Sequence, residues 1–91
     1  MLHCNMDTRT VDIELEDLLA EFHHSRRQRD LGRLALLAYC RAKHWARTTA
    51  HSEVARLATS MADDGPQPTR EDFLAQIDRL IAVLERAAGR Y

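Results

Sequence analysis

Cysteine, glycine, proline, lysine and aromatic residues are all scarce in this 91-residue chain. The two cysteines, Cys4 and Cys40, are too few for a disulfide framework, so reduced thiols are expected. With one Trp, two Tyr and two Phe, a core of Leu, Ile and Ala is expected. Lys43 is the single lysine among thirteen basic residues, a bias that points to a GC-rich, bacterial genome. No apolar run approaches the roughly 18 residues that span a bilayer, so no membrane partner is expected. Met1 to Asp7 has neither a basic start nor an apolar run, so it does not read as a secretory signal, and the cytoplasm is the expected compartment. There is no Gly-rich phosphate loop, nucleophile elbow or metalloprotease helix motif, so neither an enzyme nor a cofactor is expected.

What is present is helical periodicity. Hydrophobic residues at 45% and charged residues at 30% suit one globular domain, whose core must be thin because a chain this short hides only about 60 to 65% of its surface. Val11, Leu15, Leu18, Leu19 and Phe22 recur at three and four residues and predict a helix over 12–29, capped by Thr10 or Asp12, with 1–9 as a flexible tail. Its acidic start (Asp12, Glu14, Glu16, Asp17) and basic end (Arg26, Arg27, Arg29) complement the helix dipole. Asp30 can cap a second helix over 31–47, with Gly32 relaxing the turn.

That second helix is apolar nearly all round. Leu34, Ala38, Ala42 and Trp45 form one face, and Leu36, Leu37 and Cys40 are placed on the other, so neighbours must cover it from two sides. A further stretch over 52–62 carries Val54, Leu57, Ala58 and Met61. The middle two helices could be continuous, but an unbroken rod would be about 48 Å long against ~27 Å for the first helix. A kink or break is therefore expected between Thr48 and Ser52. Gly65-Pro66-Gln67-Pro68 marks a loop, and Thr69 caps a last helix over 70–88 whose stripe is Phe73, Ile77, Leu80, Leu84 and Ala87. Gly89 stands where a C-terminal glycine belongs. The expected fold is all-α, a small three- or four-helix bundle in one domain.

Cys40 and His44 are four apart and could share a metal ion, but His51 lies about 10.5 Å from His44 along an unbroken helix, too far to join them. A buried thiol and solvated imidazoles are the preferred reading, with a metal-sensing bundle as the alternative. His23 and His24 precede Arg26 and Arg27, which could hold a phosphoryl group, but the glycine that ideally follows a phosphotransfer histidine closely is lacking. Residues 26–47 carry a local charge of plus six, yet residues 1–25 carry minus five and no recognition motif accompanies the basic run. Nucleic acid is therefore not an expected partner.

Protein–protein interaction is the favoured function, through Arg33, Leu36, Leu37, Cys40, Arg41 and Arg47. A homodimer is expected, because Arg26, Arg27, Arg29, Arg33, Arg86 and Arg90 would gather at one pole and Asp12, Glu14, Asp63, Asp64, Glu71 and Asp72 at the other.

Overall fold

The computed structural model describes the backbone over residues 2–65 and 69–89, and the side chains from Ile13 onward within those spans, Asp64 excepted. Four helices fill these spans, with no strand among the described residues. They are α1 (Leu2–Gln28), α2, α3 (Ser52–Asp64) and α4 (Arg70–Ala87). Helix α2 is continuous but changes pitch, running as α-helix over Leu31–Leu36, π-helix over Leu37–Ala42 and α-helix over Lys43–Thr48. Each helix packs on the next, and α4 returns against α1. The all-α bundle read from periodicity is thus the fold, in its four-helix form.

The helix ends explain the turns. Arg29 takes the left-handed conformation at φ 53°, its N–H donates to the Arg26 carbonyl, and the Asp30 N–H donates to Ser25, which is the Schellman arrangement. The expected role of Gly32 in this turn is corrected, since the positive φ belongs to Arg29 and Gly32 lies inside α2. Asp30 does cap α2, its Oδ1 accepting from Arg33 N at 3.1 Å. Thr69 Oγ1 caps α4 the same way, accepting from Asp72 N at 3.0 Å. Gly89, at φ 78°, closes α4 with its N–H donating to the Arg86 carbonyl.

The break between α2 and α3 falls within the expected span. Thr48 and Thr49 hydroxyls both donate to the Trp45 carbonyl, at 3.0 and 2.8 Å, and end the helix. Ala50 turns left-handed at φ 56°, and His51 N donates back to Ala46 O at 2.9 Å, repeating the arrangement at the end of α1. His51 itself caps α3, with Nδ1 accepting from Val54 N at 3.5 Å. Imidazole was not foreseen in that role.

Two boundaries move. Helix α1 starts at Leu2 rather than near Asp12, so its backbone is already helical through the ten residues before Asp12. No Gly or Pro lies in 2–11 to stop it, and its Thr and Val residues each cost only about 0.5 kcal/mol in propensity. Asp12, Glu14, Glu16 and Asp17 therefore do not occupy a first turn, which holds no acid; Arg26 and Arg27 do occupy the last one. Helix α3 runs two residues past the expected 62, to Gly65 at φ 74°. The Pro66-Gln67-Pro68 part of the expected loop lies outside the described residues.

Phe22 and Leu19 from α1, Leu34 and Leu37 from α2, Val54 and Met61 from α3, and Ile77, Leu80 and Leu84 from α4 are fully buried together. They join the helices into one core.

Candidate functional site

The six residues of the expected interaction surface do not stay together. Leu37 is 0% exposed and belongs to the core, whereas its neighbour Leu36 is 49% exposed. This corrects the face assigned to Leu37. Leu34 and Leu37 are three apart and so share a stripe, and α1 and α3 cover that stripe from two sides. The π turn contributes as well. In it residue i+5 comes round beneath residue i, so Ala42 follows Leu37 inward and Arg41 stays at the rim.

Arg33, Leu36, Cys40, Arg41 and Arg47 remain exposed on α2. Cys40 is a free, exposed thiol, which corrects the expectation that it is buried. Glu21 on α1 ties down two members of the group, accepting one hydrogen bond from Arg33 Nη2 and another from Arg41 Nη1. Those bonds, from Arg41 first and Arg33 second, hold the Glu21 carboxyl below its ordinary range. The two guanidiniums are thus set along the α1–α2 seam rather than left to wander.

Ion pairs also occupy other seams. Arg26 grips Asp78 of α4 through Nε at 2.8 Å and Nη2 at 3.2 Å, which favours the charged guanidinium further. His23 Nε2 lies 3.2 Å from Glu85 Oε2. Arg86 donates to Glu53 of α3 at 2.9 Å. Arg26, Arg33 and Arg86, expected at one pole of the bundle, are therefore each engaged with a carboxylate within the chain. Glu85 beside His23 would repel a phosphoryl group at that ring, and Arg26 already holds a carboxylate.

Cys40 and His44 are both exposed, and among the described residues no group of three His, Cys, Asp or Glu side chains could hold a metal ion. His51 is engaged elsewhere, capping α3 with its ring centroid 5.6 Å from that of Trp45. Trp45 Nε1 is buried without an acceptor among the described residues.

One group of side chains escaped the sequence reading. Glu53, Arg56 and Leu57 of α3 and Arg79, Val83 and Arg86 of α4 line an open cleft of about 450 Å³. Arg79 and Arg86, seven residues apart, were recognisable as sharing one helix face; their meeting with Arg56 depends on α3 lying against α4.

No helix among the described residues is long and apolar enough to cross a membrane. Set against known protein families, curated proteins and solved structures, the chain matches none.

Proposed function

We propose that this chain is a small helical protein-interaction module, working in the cytoplasm as a regulatory adaptor, chaperone-like partner or inhibitor, and that it self-associates through the outer face of α2. The observation that carries this reading is Leu36, 49% exposed, one turn before the exposed Cys40 and set among the exposed arginines Arg33, Arg41 and Arg47. An apolar centre with an arginine rim is the composition typical of interfaces. Because Glu21 already orders Arg33 and Arg41, less side-chain freedom is lost when a partner arrives. The π turn that displays Cys40 adds support, since such widened turns occur frequently at functional sites. No catalytic step belongs to this reading.

Light scattering tests it. A two-fold contact centred on Leu36 would bring Cys40 near its own copy, so mild oxidation of a Cys4→Ser variant should trap a covalent dimer. Leu36→Glu should leave a monomer with unchanged helical signal, while Leu37→Glu should unfold the chain, because that position is buried. A monomer at every concentration, with no Cys40 cross-link, would overturn the proposal.

A further inference from the structure

We infer that the cleft between α3 and α4 binds a small organic phosphate, its anionic group held by Arg56, Arg79 and Arg86 and its carbon portion resting on Leu57 and Val83. The site lies on other helices than the α2 face and stands or falls separately from it. Three arginines line it against one carboxylate, Glu53, so the cleft carries an excess of positive charge. Arg56 and Arg79 have no side-chain hydrogen bond or ion pair among the described residues, unlike Arg26, Arg33, Arg41 and Arg86. Elsewhere the chain pairs its seam arginines, but here it leaves two of three open.

Glu53 shows what the cleft attracts. Its Oε2 sits 2.9 Å from Arg86 Nη2, in a pair whose side chains are 53% and 57% exposed. Solvent on both partners makes that contact easy to exchange, so an incoming anion can take over Arg86 while Glu53 turns out to water. Phosphate is the better match than carboxylate, since its tetrahedrally disposed oxygens and greater charge can engage three guanidiniums at once, whereas the flat carboxylate of Glu21 engages two. Of the other residues lining the cleft, Leu57 is half-buried and Val83 is 5% exposed, an apolar contribution that inorganic phosphate alone would leave unused.

Titration calorimetry of the whole chain at fixed low salt, using phenyl phosphate, inorganic phosphate and benzoate as probes, tests the assignment. Phenyl phosphate should bind at one site, at least about tenfold more tightly than either of the others. The double variant Arg56→Gln/Arg79→Gln should weaken it by about tenfold or more while its thermal melt stays that of the parent chain. Glu53→Gln should tighten binding, because the internal competitor for Arg86 is gone. A merely structural Glu53–Arg86 pair would give the opposite sign. Absence of saturable binding, binding indifferent to the double variant, equal affinity for all three probes, or weaker binding by Glu53→Gln would each overturn the inference.

Discussion

Ala50→Gly should make the protein more stable, although it removes a side chain and adds none. Ala50 sits at φ 56°, where its Cβ crowds the following carbonyl at a cost of roughly 1–2 kcal/mol for an L-residue. Glycine escapes that cost, but its freer unfolded chain takes back about 0.4–1 kcal/mol. The difference leaves a net gain of about 0.5–1 kcal/mol. For a domain of this size that raises Tm by about 3–6 °C, readily followed by far-UV circular dichroism. Ala50→Val is the companion variant, because a β-branched side chain at positive φ should lower Tm. The reasoning fails if Ala50→Gly melts at or below the parent temperature, for then the turn does not hold Ala50 in the left-handed region.

Leu84→Ala, at a position 0% exposed, should cost about 2–5 kcal/mol by urea denaturation; a loss under about 0.5 kcal/mol would mean that α4 is not packed in the core. Acidification offers an independent check on Glu21. Its folded-state pKa lies below the ordinary 4.5, so its stabilising contribution is present above that value and is lost as pH falls through the lowered one. The stability advantage of the parent over Glu21→Gln should therefore hold at neutral pH and shrink below about pH 4.5. An advantage that stays constant through the acid range would refute the two-arginine account.

Features decided by local chemistry could be read directly. Asp30 and Thr69 cap their helices because a short oxygen-bearing side chain needs only the N–H three residues on, and the α4 stripe follows from spacing alone. Leu37 could not be placed so simply. Its side of α2 is inside or outside according to how α1 and α3 lie, and a plain helical wheel ignores the wider pitch of the π turn. The start of α1 was missed because Thr10 and Asp12 look like caps, yet the residues before them offer no stop. In the candidate sites, the arginines of α2 are exposed, but no sequence pattern singled out Glu21 as the tether of Arg33 and Arg41, because that contact joins two helices. The cleft arginines needed a contact between two helices that no spacing rule supplies.

The π turn Leu37–Ala42 also makes α2 unevenly tolerant of changes in length. A widened turn accommodates one residue more than an α turn would, so the segment behaves as slack in an otherwise taut rod. Shortening the chain by one residue at exposed Cys40 would let the turn relax to ordinary α pitch, and Leu34 above and Trp45 below could keep their inward aim. The same excision within Lys43–Thr48, where no slack exists, would rotate everything after it by about 100° and drive a polar side chain into the core. Length variation in relatives of this helix should accordingly concentrate in that one turn.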